Sequence, residues 1–367
     1  MAALERLRLA LPGGDAAAHS VLIGAGALRQ AAGDLEAFAG GRSLFILSTP
    51  RVRALHGAAV DAVVSRAAAV HHLEAPDGEA AKSLEIAGRL WSEMLRLGGK
   101  RDSRLLALGG GSLCDLGGFV AACFLRGIEV AQVPSTLLAQ VDASVGGKTA
   151  IDLPEGKNTV GAFHQPSLVI ADTELLATLD RGELAAGLVE VIKMAALLDV
   201  ELLARVERDL DRLLAADADA LAPVVVGAVA AKIRIVEEDP FEADRRRLLN
   251  FGHTLGHALE SALGYSGLRH GEAVAHGMRF ALRLARRRGL EQGAADRLER
   301  VLARLGLPPL PPVEARPLLD AMRRDKKARE SGLVWVLPSA LGRGEMVTDV
   351  SWNEVETELR GFLAAAG

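Results

Sequence analysis

The sequence predicts an α/β protein with an N-terminal Rossmann-like parallel-sheet domain over residues 1–175 and a mostly helical domain over 176–367. Three observations predict it. Short β-type runs alternate with helical runs through the first half, the pattern of a covered parallel sheet. A β-type run ending at Leu108 opens into Gly109-Gly110-Gly111-Ser112 and then a helix, and ligands on such sheets bind beyond the carboxyl ends of strands. From about Leu176 apolar residues recur at helical spacing instead.

In chain order, His19–Ile23, Ser43–Leu47, Ala69–Leu73, Arg104–Leu108, Glu129–Val133 and Leu168–Ala171 read as strands. Ser83–Leu97 reads as a helix between the third and fourth, and another is expected to begin near Asp115. Pro134–Thr149 reads as a long loop of small, hydroxyl and glycine residues around Asp142 and Lys148. Asp180-Arg181-Gly182-Glu183 resembles a capping box and opens a helix over Glu183–Leu198. Ala222–Val236, Thr254–Leu263 and Glu272–Arg288 carry the same periodicity. The Pro-rich piece Leu307–Pro312 breaks helices, and Leu333–Leu337 reads as extended.

A chain of 367 residues is long for one core, so two domains are expected. Half the residues are hydrophobic and aromatics are scarce, which suits a helix-rich α/β enzyme. A net charge of −4 argues against a nucleic-acid surface, so any anion site is local. Two cysteines, Cys114 and Cys123, make neither a disulfide framework nor a cysteine zinc site, and a cytoplasmic, reducing compartment is expected. No signal-peptide-like or transmembrane-length apolar run is present, so no membrane partner is expected.

Four of the nine histidines, His253, His257, His270 and His276, cluster in the second half. His253 and His257 stand four apart and share one helical face. Imidazole is a common zinc ligand, and Glu190 upstream could complete a Glu-His-His set with one position open, the form of a catalytic metal site. Glu190 and Lys193 share a face of an apolar helix, so a carboxylate and an ammonium are expected to be buried together and to need partners or a metal. The glycine turn at Gly109–Ser112 suits a pyrophosphate, because glycines allow close backbone approach and the helix N-terminus attracts anions. Asp77-Gly78-Glu79 and Lys82 follow another strand end. Gly146-Gly147-Lys148-Thr149 lacks the upstream glycine of a P-loop, but Lys148 keeps the character of an anion-binding lysine. Lys232, Arg246 and Asp325-Lys326-Lys327 add cations, and such a set in an acidic chain points to a small polyanionic substrate.

Together these motifs resemble the 3-dehydroquinate synthases, a sugar-phosphate cyclase family. The likeness runs from about residue 75 to 340. It rests on Asp77–Glu79, Gly109–Phe119, Phe124-Leu125-Arg126-Gly127, Gln132–Thr149, Gly156-Lys157-Asn158, Gly161–Pro166, Glu190–Lys193, Asn250–His257, His270–Glu272 and Asp325–Lys327. The resemblance implies bound NAD and one divalent metal, zinc or cobalt. It also implies conversion of 3-deoxy-D-arabino-heptulosonate 7-phosphate to 3-dehydroquinate and phosphate, by transient oxidation, phosphate elimination, re-reduction and aldol closure.

By resemblance, Glu190, His253 and His270 bind the metal. NAD lies against Asp77, Gly78, Glu79, Lys82, Gly110, Gly111, Ser112, Asp115, Ser135, Thr136, Asp142, Lys148, Lys157, Leu175 and Thr178. Lys148, Asn158, Lys193, Lys232, Arg246, Asn250, His257 and Lys326 or Lys327 form the catalytic and substrate set. Arg126 is implied to reach the neighbouring site of a homodimer. Cys114 and Ser135 stand where the family usually has glycine and threonine, and a thiol there is expected to narrow the NAD site. Ser48–Arg51 lacks the acidic or amide residue expected near the adenine ribose. Two other readings share this fold: a valiolone- or inosose-type cyclase, and a metal-dependent alcohol or glycerol dehydrogenase that would release NADH. Lys232 and Asn250 fit a carboxylate-bearing substrate better than the first, and the Gln140–Lys148 run with the Lys/Arg set argues against the second.

Overall fold

The computed structural model describes residues 4–11, 19–64, 67–327 and 334–366, without the side chains of 325–327 and 366. The expected roles of Lys326 and Lys327, and the start of the extended run at Leu333, lie outside the described residues. In chain order the elements are β1 (Glu5–Leu9), β2 (His19–Gly24), α1 (Ala27–Gln30), α2 (Ala32–Ala39), β3 (Ser43–Ser48), α3 (Pro50–Asp61), β4 (Ala69–Glu74), α4 (Leu84–Arg96), β5 (Arg104–Gly109), α5 (Gly111–Cys123), β6 (Glu129–Pro134), β7 (Lys148–Leu153), β8 (Gly156–Phe163), β9 (Leu168–Asp172), α6 (Arg181–Leu198), α7 (Val200–Leu214), α8 (Ala218–Glu238), α9 (His253–Ala262), α10 (His270–Arg287), α11 (Gln292–Arg304), α12 (Ala315–Lys327), β10 (Trp335–Ala340), β11 (Arg343–Val347) and α13 (Trp352–Ala366). They form two compact units, 1–179 with 215–241 and 180–214 with 242–367. The chain thus crosses between units three times, where the sequence suggests one boundary near 175, and α8 joins the first unit.

The first unit holds a seven-stranded sheet in the order β1-β2-β9-β6-β5-β3-β4, parallel except for the antiparallel β1–β2 pair. β3 shows why it reads as an uninterrupted apolar run. Leu44 and Ile46 pack on one face with Leu28, Leu35 and Val60, while Phe45 and Leu47 pack on the other with Leu90, Met94 and Phe119. Side chains alternate across a strand, so one covered on both faces is apolar throughout. The helices that cover it start on local caps: Thr49 Oγ1 accepts from Val52 N before α3, with Pro50 in the first turn, and Ser83 Oγ from Ile86 N before α4.

The six expected strands are present, but β1 and the β7–β8 hairpin were not expected. β1 is a short, charged edge strand, and the hairpin is hidden by glycine, lysine and asparagine. The Pro134–Thr149 run is therefore not a loop: it holds a π-helical turn, Ala139–Ala143, and the start of β7. α5 begins at Gly111 rather than near Asp115, because a helix start rich in glycine carries little propensity signal.

In the second unit α6 is buried from Leu184 through Leu197, including Glu190 and Lys193. α10 packs on both α6 and α9, and glycines permit it. A Cβ on Gly271 would overlap the Ala186 carbonyl of α6, and one on Gly277 would overlap the Gly252 carbonyl ahead of α9. The β10–β11 hairpin and α13 close the unit, with Trp335 and Phe362 both against Phe280. Half of the expected capping box forms: Asp180 Oδ1 accepts from Glu183 N at 2.9 Å, while the Glu183 carboxylate is taken by Arg269 at 2.8 Å.

Candidate active site

Three helix segments of the second unit bring Glu190, His253 and His270 together, with one ligand atom of each within 4.8 Å of the others. Glu190 lies mid-helix in α6, while His253 and His270 are the first residues of α9 and α10. Gly252, at φ 83°, makes the left-handed turn that aims His253 inward. The Glu190 carboxylate is 0 % exposed, and among the described residues neither oxygen accepts a hydrogen bond. Lys193 Nζ lies against Oε2, a charge contact that lacks hydrogen-bond geometry, so the carboxylate has a partner for its charge but none for its lone pairs. A buried carboxylate in that state is costly, and a divalent cation between it and two imidazoles removes the cost. The donor set thus fits a zinc-type ion.

His253 Nδ1 sits 3.3 Å from the Phe251 carbonyl. A carbonyl only accepts, so Nδ1 carries the proton and Nε2 is left to ligate. Burial alone would lower the His270 pKa, but Glu260 and Glu190 together raise it, a field that equally favours a bound cation. His257 is exposed, with its ring centroid 5.2 Å from that of His253 and 6.0 Å from that of His270. Arg246 is 1 % exposed on the 3₁₀ turn Arg245–Asn250, and Asn250 Nδ2 donates to Glu242 Oε1 at 3.0 Å.

The first unit assembles a second constellation. Gly110 caps α5, and a Cβ there would stand 3.2 Å from Thr136 Cγ2, so the glycine turn is pressed against the 135–136 turn. A helix start with unpaired N–H groups in a glycine cradle fits a pyrophosphate. Ser112 Oγ donates to Glu79 Oε2 at 2.6 Å, tying α5 to the turn after Asp77. Lys82 is 3 % exposed; its ammonium donates to Asp115 Oδ2 at 2.8 Å, contacts Asn158 Oδ1, and lies 3.4 Å from Glu79 and 3.8 Å from Asp152. Burial pushes the Asp115 carboxyl up to about 6 despite Lys82. Lys157 stands 3.7 Å from Glu79, and Lys148 is exposed at the start of β7. Lys232 of α8 contacts Asp142. Ser135 N donates to the Gly109 carbonyl, and Thr178 Oγ1 donates to the Leu175 carbonyl while contacting His56 Nε2 at 3.1 Å.

The Cys114 thiol is fully buried, with Sγ 3.9 Å from the carbonyl of Gly109, the first residue of the glycine turn. Burial pushes its pKa well up, which removes the reactive thiolate. Native protein is therefore expected to show one thiol to an aromatic disulfide reagent, the exposed Cys123, and two after denaturation. Two rapidly reacting native thiols would contradict this placement.

Glu260, Arg269 and His56 belong to none of the motifs that the sequence displays. Glu260 was visible in principle, seven residues after His253 and three after His257 on one helical face. Arg269, which binds Asp180, Glu183 and Glu272, gave no local signal, because two of its partners are distant in sequence.

The 3-dehydroquinate synthase N-terminal family matches residues 72–186, and the C-terminal family matches 187–328. The 3-dehydroquinate synthase of Symbiobacterium thermophilum is 45 % identical over 326 residues, covering 88 % of this chain and 91 % of that protein. Among solved structures, 2-epi-5-epi-valiolone synthase from Streptomyces hygroscopicus subsp. jinggangensis 5008, with NAD+ and Zn2+ bound, is 30 % identical with a TM-score of 0.81, covering 89 % and 92 % of the two chains. A 2-deoxy-scyllo-inosose synthase, complexed with carbaglucose-6-phosphate, NAD+ and Co2+, is 25 % identical with a TM-score of 0.87 over 97 % and 100 %.

Proposed function

The chain belongs to the 3-dehydroquinate synthase family, and from that premise we infer how its own residues carry out the reaction. It converts 3-deoxy-D-arabino-heptulosonate 7-phosphate to 3-dehydroquinate and phosphate. The observation that carries the residue assignment is the buried Glu190 carboxylate, without hydrogen bonds, facing His253 and His270. NAD, when bound, would supply reversible hydride acceptance, and the divalent ion would supply Lewis acidity at the hydroxyl that is transiently oxidised to a ketone.

Glu190, His253 and His270 hold the cation, while Lys193 compensates charge at Glu190. Gly110, Gly111 and Ser112 cradle the dinucleotide pyrophosphate, with Asp77, Gly78 and Glu79 beside them and Ser135, Thr136, Lys148, Lys157, Leu175 and Thr178 completing the cofactor contacts. Lys82 and Asp115 act chiefly by locking α5 to the turn after β4 and to the β7–β8 hairpin. Arg246, with its fork of donors, and Asn250 on the same turn suit the substrate carboxylate, while in the first unit Lys232 and Asn158 suit a substrate anion. His257, exposed one turn beyond His253, moves a proton between substrate and solvent.

Assay of the purified protein with the heptulosonate phosphate, NAD and zinc or cobalt tests the reading. Phosphate and dehydroquinate are expected in equal amounts with no net NADH. NADH accumulating without phosphate would instead support a dehydrogenase.

The working form is a homodimer in the cytoplasm, with Arg126 completing the partner's site. Leu125 (φ 47°) and Arg126 (φ 73°) both hold left-handed backbone, and Arg126 is exposed with no ion pair among the described residues. Strain of that kind persists where it presents a functional side chain. Both cysteines are free, in keeping with a reducing compartment. Arg126→Ala and His270→Ala, each inactive alone, should regain about a quarter of wild-type activity when refolded together, since half the dimers then carry one complete site. No recovery in a mixture shown to exchange subunits would remove the shared site.

A further inference from the structure

The two ring nitrogens of His270 face different carboxylates. Nε2 lies 3.7 Å from Glu190 Oε1, and Nδ1 lies 3.3 and 3.4 Å from the two oxygens of Glu260. Glu260 is 8 % exposed and belongs to α9, the helix that also carries His253. An ionised carboxylate can only accept, so the proton between Nδ1 and Glu260 belongs to the ring. The lone pair is then on Nε2, the nitrogen turned toward Glu190. His253 repeats the arrangement, with Nδ1 anchored on the Phe251 carbonyl.

Resting on the reading that Glu190, His253 and His270 hold the metal, we propose that Glu260 is a positioning residue: it fixes the tautomer and ring orientation of His270, and through them the affinity of the site for its divalent ion. Carboxylate–imidazole–metal relays act in this way because a ligand ring free to rotate or to protonate at the wrong nitrogen loses its lone pair. The negative charge also makes the imidazole a stronger donor. His257, Glu260 and His270 themselves place ligand atoms within 4.8 Å of one another, which would suggest Glu260 as a ligand of a second ion. An ion held there through Nδ1, the nitrogen that faces Glu260, would have to displace the proton that Nδ1 carries.

The test measures zinc affinity of the metal-free full-length protein by competition with a chromogenic chelator, for wild type, Glu260→Ala, Glu260→Gln and His270→Ala. Glu260→Ala should bind zinc about 10–100-fold more weakly. Glu260→Gln should lose less, since its amide oxygen still accepts from Nδ1–H, and this partial rescue separates positioning from packing. Metal-free melting temperatures should match wild type, and the cobalt absorption band should shift in Glu260→Ala. Should Glu260→Ala fail to fold, Glu260→Gln and its cobalt spectrum carry the test. Zinc affinity within about threefold of wild type in both variants, with His270→Ala metal-free, overturns the proposal alone. Loss of a second, weaker zinc equivalent with the first unchanged overturns it too. Wild-type zinc binding by His270→Ala overturns the ligand assignment beneath it.

Discussion

His270→Ala is expected to abolish metal binding and turnover together. The substitution removes one of three ligands and, among the described residues, leaves Lys193 to balance the charge of the fully buried Glu190 carboxylate. The bound ion contributes several kcal/mol of charge stabilisation at the reacting oxygen, so its loss lowers kcat by ~10³-fold or more. Elemental analysis of the dialysed variant, beside phosphate release, checks this. Wild-type metal content would sink the ligand assignment. His270 is partly exposed at the first position of α10, so the truncated protein should still fold, and its melting temperature should match that of metal-free wild type.

Gly277→Ala carries the second large effect, though its site bears no catalytic group. A methyl there would run into the Gly252 carbonyl, which belongs to the residue just before His253. Backbone cannot rotate away as a flexible side chain can, so α10 must lift off α9. Overpacking of this kind costs about 1–3 kcal/mol or more. The melting temperature should fall by roughly 2–4 °C per kcal/mol in a chain of this size, and zinc affinity should fall with it as His253 and His270 separate. Gly33→Ala on α2, where a Cβ would meet nothing within 4 Å, is the control and should be neutral or slightly stabilising. A Gly277→Ala protein with wild-type stability and zinc affinity would show that the helix contact is not what sets the ligand geometry.

Both expectations turn on residues that differ in how openly the sequence displays them. The central strands are plain because a strand covered on both faces reads as a continuous apolar run, as in Leu44–Leu47. β1 and the β7–β8 hairpin are not plain, since their short charged or glycine-rich runs carry no apolar pattern, although each pairs with its neighbour in sequence, β1 with β2 and β7 with β8. Lys232 reads as part of a helical second domain, yet α8 packs in the first unit and sets that ammonium on Asp142.

Local chemistry, written residue by residue, determined the fold class, the glycine turn ahead of α5, the Glu190–Lys193 pair and the His253–His257 pair. Those features depend on spacing along one strand or one helix, where backbone geometry is regular and periodicity can be counted. Only the tertiary structure decided that Glu190 meets His253 and His270, that Glu260 takes the opposite nitrogen of His270, that Lys82 is sealed among three carboxylates, and that the Cys114 thiol faces inward. Each of those outcomes depends on how closely two separate elements approach, and that distance is set by side-chain volume at contacts such as Gly271 against Ala186. Such contacts join residues far apart in the chain, where no local pattern records which neighbour will arrive.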